Sequence, residues 1–473
     1  MNWRYILNIM GILTLLLGFA MIVPLGVGVY FRDGSVTAFI KSVILTTFAG
    51  LLVYLTFRGS TEEHLSQREG MAVVAVGWAC AGFFGALPFY LYGEPGSLID
   101  ALFESVSGFT TTGASVLTDI EALPKGLLFW RCFIQWLGGM GIIVLSVAIL
   151  PFLGVGGMQL YKAEVPSPVL DKLKPRIRDT ARIMWKVYAV ISLVEMLVLL
   201  AGGMGFYDAV CHTFTTMPTG GFSTRNASIA HYNSLYFDAV LMVFMLLVGI
   251  NFSLHYQLLT GKPMVFWRDS ECRFFLGVCL ILSAVVGFNI YGPVYDKVGE
   301  AIRFGAFQVV SIVTTTGFAT ADYETWPAMS QVILLFCMFL GASAGSTGGG
   351  MKCLRIMLCF KYCYNELFSL IHPHAVTQVK IGGTPVSEDI MRSILGFLAL
   401  YVGLFALCAV ILAGLGVDMV TAIGAVAASI GNIGPGFGLV GPVENYALIP
   451  PAGKWLLIWC MLLGRLEIFT VII

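Results

Sequence analysis

Ten apolar runs dominate this chain, near residues 5–30, 37–57, 70–92, 127–150, 183–204, 235–260, 273–292, 330–360, 390–414 and 451–473. A helix needs about 20 residues to cross the hydrocarbon core of a bilayer. Inside that core every backbone amide must be paired within the protein, so runs of this kind are read as membrane-spanning helices. The charge content agrees: 11% of residues are charged, against about 25% in a soluble domain. The first run, from Tyr5 to Tyr30, is longer than a signal-peptide core and has no cleavage signature, which makes it a retained span. A net charge of zero gives no sign of nucleic-acid binding. The 11 cysteines are scattered without a CxxC pair. That pattern argues against a disulfide framework or a zinc site, and Cys359 with Cys363 is too weak a pair to imply a metal.

Four shorter apolar pieces, near 98–110, 207–217, 300–313 and 418–429, are too short to span. Each ends at a polar, glycine-bearing loop: Ser107–Ser115, Thr215–Ser223, Ser311–Ala319 and Ser429–Gly436. The repeating unit is long helix, half-helix, polar loop, long helix. The expected fold is therefore an all-α polytopic membrane protein: four pseudo-repeated helix–half-helix–filter loop–helix units around a central pore, plus two extra N-terminal transmembrane helices. The segments are 1–67 for the N-terminal helix pair, then repeats over 68–165, 166–268, 269–380 and 381–473. Asp100, Asp208, Glu300 and Asp418 start the half-helices. A carboxylate there suits the unpaired amides and the helix dipole, and leaves the negative helix end facing the loop. A plain N-cap is the competing reading of each acid.

Backbone that leaves the helix at membrane depth must be buried in protein or line a wet cavity. Thr-Thr-Thr-Gly offers hydroxyls and carbonyls without formal charge, which suits a monovalent cation shedding its water. Glycine lets successive carbonyls turn toward one axis. A second break lies in the long run of repeat three, from Gly341 to Gly350, which contains Gly345, Ser346, Thr347, Gly348 and Gly349. So many glycines weaken a helix. The segment reads as two half-helices joined by an intramembrane loop, a candidate gate, with small-residue helix packing as the alternative. Arg465 lies within the last run, and a charge at such depth faces a cavity or a partner. It is read either as a charge barrier in the pore or as a structural charge, paired with Glu467 or another acid or snorkelling toward the cytoplasm. Glu195 is a similar lone charge with a structural leaning, and Arg131 and His255 read as ordinary span-end residues.

Basic residues set the expected orientation. They gather between repeats, at Lys162, Lys172, Lys174, Arg176, Arg178, Arg182 and Lys186, then Lys262, Arg268 and Arg273, then Lys352, Arg355, Lys361, Lys380 and Arg392. These junctions are expected in the cytoplasm with both termini, and the polar loops open outward.

The sequence resembles the TrkH/TrkG/KtrB superfamily of potassium transport proteins, most closely its bacterial TrkH/TrkG branch. The resemblance is carried by Gly108–Ala114, Gly138–Gly141, Pro218–Thr224, Thr315–Thr320, Gly345–Lys352 and Leu463–Glu467, and runs over nearly the whole chain. It implies a simplified potassium filter built from Thr111, Thr112 and Gly113, Thr219 and Gly220, Thr315, Thr316 and Gly317, and Asn432, Ile433 and Gly434. The second loop leaves Gly220 or Gly221 open, and in the fourth Gly431 and Gly436 compete with Gly434. In related plant transporters a serine at the first of these glycines accompanies sodium transport, so Gly113 is consistent with potassium. The resemblance further implies a gating loop at Gly341–Gly350, a basic residue near the permeation path at Arg465, a homodimer in the lipid of a bacterial inner membrane, and a cytoplasmic TrkA-type regulatory ring that binds NAD(H) and adenine nucleotides. The chain has no nucleotide motif of its own, and no bound cofactor is expected beyond K+ as the transported ion. An enzyme is not expected. A sodium- or proton-coupled transporter of a small solute is the alternative, and it would need a midplane solute site and intramembrane carboxylates.

Overall fold

The computed structural model describes residues 2–59, 67–141, 177–262, 264–375, 377–382 and 384–466. The basic residues Lys162, Lys172, Lys174 and Arg176, the later part of the 127–150 run, and Glu467 lie outside them.

The N-terminal pair is Trp3–Ala20, continued by Ile22–Phe31, against Val36–Phe57. Close approach explains its glycines: a side chain at Gly11 would meet the backbone of Tyr54, and one at Gly50 the backbone of Leu15. Small residues at such a seam let apolar helices pack without a hydrophobic drive between them. Among the described residues, six helices are long and apolar enough to cross a membrane: Trp3–Phe31, Val36–Phe57, Arg68–Tyr92, Arg182–Ala201, Ser270–Ile290 and Glu388–Gly414. Their outward faces carry exposed Phe48, Leu197, Leu280, Phe288 and Val410.

Four half-helices follow the incoming spans: Leu98–Phe109, Phe206–Thr216, Val298–Val313 and Met419–Ile430. They sit at the centre. The last turns of the first, third and fourth are fully buried and that of the second is buried but for Phe214, whereas the long helices around them keep a large apolar surface exposed. Of the four acids, Asp418 alone caps its helix, accepting from the Thr421 amide at 3.1 Å. Asp100 binds Lys454 Nζ at 2.6 Å, Asp208 binds Arg225 Nη2 at 2.8 Å, and Glu300 pairs with Lys297 on the surface. The sequence regularity is thus one of position, at the N-terminal end of each half-helix, three acids in the first turn and Asp418 at the cap, with four different partners.

The outgoing helices all stop early. Lys125–Gly139 ends at the Gly138–Gly141 run. Leu235–Val248 turns by 98° into Phe252–Leu259. Ala328–Leu340 gives way to the glycine-rich loop before Cys353–Ile371 resumes. Pro451–Arg465 is the fourth. The sequence reading placed a broken outgoing helix in the third repeat alone; the second is broken as well, at Gly249–Asn251, where the Asn251 side chain caps the new helix.

Candidate ion-conduction site

Each half-helix ends in the same local structure. The amides of Thr112, Gly220, Thr316 and Ile433 reach back to the carbonyls of Ser107, Thr215, Ser311 and Ala428 at 2.8–2.9 Å. One residue earlier, Thr111, Thr219, Thr315 and Asn432 are left-handed, with φ of 54°, 56°, 59° and 54°. This is a Schellman-type helix stop made without glycine at its left-handed position. A β-branched residue there is a strained choice, and the same choice is made in three of the four loops. Two residues on, Gly113, Gly221, Gly317 and Gly434 again have positive φ, 81°, 73°, 81° and 101°. The repeat of backbone conformation pairs Gly221 with the other three glycines and Gly220 with Thr112, Thr316 and Ile433.

The four loops close on one another. A side chain at Gly113 would land on the carbonyl oxygen of Gly220. One at Gly221 would meet the carbonyl of Thr316, one at Gly317 that of Ile433, and one at Gly434 that of Thr112. The order runs one, two, three, four and back to one, so the loops form a ring and each glycine is the point where its neighbour's backbone approaches. Asn432 Nδ2 crosses the last joint to Thr112 Oγ1 at 3.0 Å.

Within the ring, hydroxyls brace the loops. Thr110 and Thr112 share a hydrogen bond of 2.7 Å, and Thr314 and Thr316 one of 2.8 Å. Ser107 donates to the Ala114 carbonyl at 2.6 Å and Ser311 to that of Phe318 at 2.7 Å. Among the described residues no donor reaches the carbonyl oxygens of Thr111, Thr112, Thr219, Thr315, Thr316, Asn432 or Ile433, all at most 1% exposed. Buried carbonyls of this kind are normally paired. Seven stand unpaired in one ring with no carboxylate among them, and neutral oxygens so arranged are the kind of donor that can take up a dehydrated monovalent cation.

One face of the ring opens into a cavity of about 540 Å³, open space included, which all four positive-φ glycines line together with Ser115, Ser223, Arg225, Glu444 and Tyr446. The opposite face meets the glycine-rich loop. Gly349 donates its amide to Thr315 Oγ1 at 2.7 Å, and Thr347 Oγ1 reaches the Met217 carbonyl at 3.1 Å. Gly341, Gly345 and Gly350 have positive φ, and Gly348 lies against the Thr314 carbonyl. Ser346 folds onto the Ser343 carbonyl within the loop itself. Arg465 donates to Thr111 Oγ1 at 3.1 Å, to Thr347 O at 2.8 Å, and to Gly138 O and Gly139 O at 2.8 and 3.0 Å. The guanidinium thereby joins the first, third and fourth repeats.

Two buried groups complete the site: Arg131, read from sequence as an ordinary span-end residue, with Glu104, which sequence reasoning missed; and Glu195, read as a lone structural charge. Arg131 is fully buried, pairs with Glu104 at 2.5 Å, donates to the Ser223 carbonyl at 2.9 Å and stacks on Phe222. Glu104 also accepts from Ser115 and Val116 of its own loop. Glu195 is fully buried too, in Ile177–Ala201, and neither of its oxygens has a hydrogen-bond partner among the described residues.

The family model described as TrkH, cation transport protein, matches residues 35–473. The chain belongs to the TrkH family of cation transport proteins. It is 42% identical to the Trk system potassium uptake protein TrkH of Salmonella typhimurium, over all of this chain and 98% of that one. With TrkG of Escherichia coli it shares 37% identity, over 99% of this chain and 97% of that protein. The crystal structure of the potassium transporter TrkH from Vibrio parahaemolyticus superposes with a TM-score of 0.90 at 38% identity, covering this whole chain and 98% of the other. These relatives are transport proteins, and this TrkH-family chain is a transport protein and not an enzyme.

Proposed function

We propose that this protein carries potassium into a bacterial cell through the ring of four loops. The ion enters the open cavity, exchanges water for the carbonyl oxygens around Gly113, Gly221, Gly317 and Gly434, and leaves past the Gly341–Gly350 loop. The observation that carries this reading is the closed ring of buried carbonyls without hydrogen-bond partners. A neutral oxygen cage of that kind repays the dehydration of a monovalent cation, whereas a divalent ion would call for carboxylates. The glycine-rich loop, bonded to Thr315, Met217 and Arg465 across the inner face, acts as the gate, and Arg465 adds a positive charge between that loop and Thr111. The basic junctions support an orientation with the loop's side of the membrane and both termini in the cytoplasm. They also offer docking surfaces to a TrkA-type nucleotide-binding ring, and the assembly is a homodimer in the inner membrane.

Rubidium uptake in potassium-uptake-deficient bacteria expressing the protein, with and without Gly113→Ser, tests the filter. The serine Cβ meets the Gly220 carbonyl, so the variant is expected to lose preference for rubidium and potassium over sodium. Selectivity that ignores this change would sink the filter assignment. Shortening Gly341–Gly350 is expected to raise flux, and unchanged flux at normal expression counts against the gate.

A further inference from the structure

The four loops are not braced alike. In loops one and three a threonine pair does the work: Thr110 with Thr112, and Thr314 with Thr316. Loop two carries Pro218 and Gly220 at the matching positions, so both hydroxyls are missing. The space is filled from outside the loop. Gln135, fully buried on Lys125–Gly139, donates Nε2 to the Gly220 carbonyl at 2.7 Å, and its Oε1 accepts from the Phe222 amide at 3.2 Å. The three atoms closest to a side chain built at Gly220 are all from the Gln135 amide. Gly220 needs no left-handed backbone, since its φ is not among the positive ones. Its glycine is explained by Gln135 alone. The same carbonyl, Gly220 O, is the one against which Gly113 packs, so Gln135 holds the joint between loops one and two.

We propose that Gln135 is a specificity-determining positioning residue: it substitutes for the missing threonine pair, fixes the Gly220 carbonyl at the loop-one joint, and so sets the size of the ring that selects the ion. This rests on the filter reading above. The side chain acts through backbone and touches no ion. Without its donor, the Gly220 oxygen swings, and the ring accepts a wider range of cations.

The test is sodium competition against radioactive rubidium uptake, in bacteria lacking their own potassium uptake and expressing the full chain. Gln135→Met keeps the volume and removes both hydrogen bonds. Losing one buried hydrogen bond is worth about a tenfold change in an equilibrium, so sodium should compete about tenfold better. Gln135→Glu, a smaller change, keeps the acceptor for Phe222 and removes the donor; its shift should lie in the same direction. The deciding variant combines Gln135→Ala with Pro218→Thr and Gly220→Thr, which gives loop two the threonine brace of loops one and three, and it should regain selectivity. Gly113→Ser runs alongside. If it shifts competition while both Gln135 variants do not, the role of Gln135 is overturned and the filter stands. If Gln135→Met loses selectivity and the triple variant does not regain it, the equivalence of the two braces is wrong. If neither Gly113→Ser nor the Gln135 variants shift competition, the filter reading itself fails. Where Gln135→Met does not reach the membrane, the Gln135→Glu and triple variants decide the matter.

Discussion

Glu271 offers the sharpest test of the gate. It sits in the first turn of Ser270–Ile290, is 7% exposed, and accepts the Ala344 amide of the glycine-rich loop at 2.6 Å. The same loop is also held by backbone bonds, Ser343 N to Gly249 O, Phe252 N to Gly345 O and Cys353 N to Ala342 O, each 3.0 Å, by the Cys353 thiol on the Gly341 carbonyl and by Lys352 Nζ on the Gly348 carbonyl. Glu271 is the carboxylate that fastens the loop at Ala344. A hydrogen bond to a charged group contributes about 1.5–3 kcal/mol, which is roughly 10- to 150-fold in an open–closed equilibrium. Glu271→Ala removes the acceptor and strands a buried amide, so rubidium uptake should rise by about that factor if the described loop is the closed state. Glu271→Gln keeps an acceptor and loses the charge, and its rise should be a few-fold, near 1 kcal/mol. Hydrogen exchange at Ala344 should accelerate in the same order. Uptake in Glu271→Ala no higher than in the parent, at equal membrane content, would refute the idea that this bond restrains the gate.

Other expectations follow from packing and charge. Gly464 lies against the Ile430 carbonyl, so Gly464→Ala should lower the midpoint of thermal unfolding in detergent, by about 1–3 kcal/mol of overpacking; Gly26→Ala, with nothing nearby, should be neutral or slightly stabilising. Removing one partner of the buried Glu104–Arg131 pair should cost about 3–5 kcal/mol, and Glu104→Gln with Arg131→Met together much less than the sum, because neither charge is left stranded. Burial alone would push the Asp208 carboxyl up, but hydrogen bonds from Thr224 and Arg225 hold it below its ordinary value. A depressed carboxylate stabilises the fold above its unfolded pKa, about 3.9, and loses that contribution as pH falls through the folded value. Thermal stability should thus be flat in this respect from pH 7 to 5, with a decline below about pH 4 that Asp208→Asn removes.

The architecture was legible because bilayer thickness and glycine-bearing loops leave a strong mark on a sequence. The apolar runs, the four half-helices and the interrupted third outgoing helix all follow from local composition. The left-handed threonines did not, since propensity argues against β-branched residues at that angle. A signal was nevertheless present: Thr111, Thr219, Thr315 and Asn432 each stand two residues before a glycine, and that spacing selects Gly221 in the second loop. The bend at Gly249–Asn251 was likewise marked by a glycine and a helix-capping asparagine inside an apolar run. Gln135 with Gly220, and Arg131 with Glu104 and Ser223, were not recoverable. Their partners are 85, 27 and 92 residues away, and no periodicity within a single helix names a partner on another.

The closed ring also dictates when it can come into being. Its last joint unites Asn432 with Thr112, 320 residues apart, so the first loop must wait for the fourth repeat to be synthesised and inserted. Three repeats in the membrane hold a loop edge that has nothing to close against, and closing a span this long costs chain entropy before any contact rewards it. Closure of the ring accordingly follows synthesis of the fourth repeat, and a ribosome that stops short of residue 432 leaves a set of membrane helices without a closed ring.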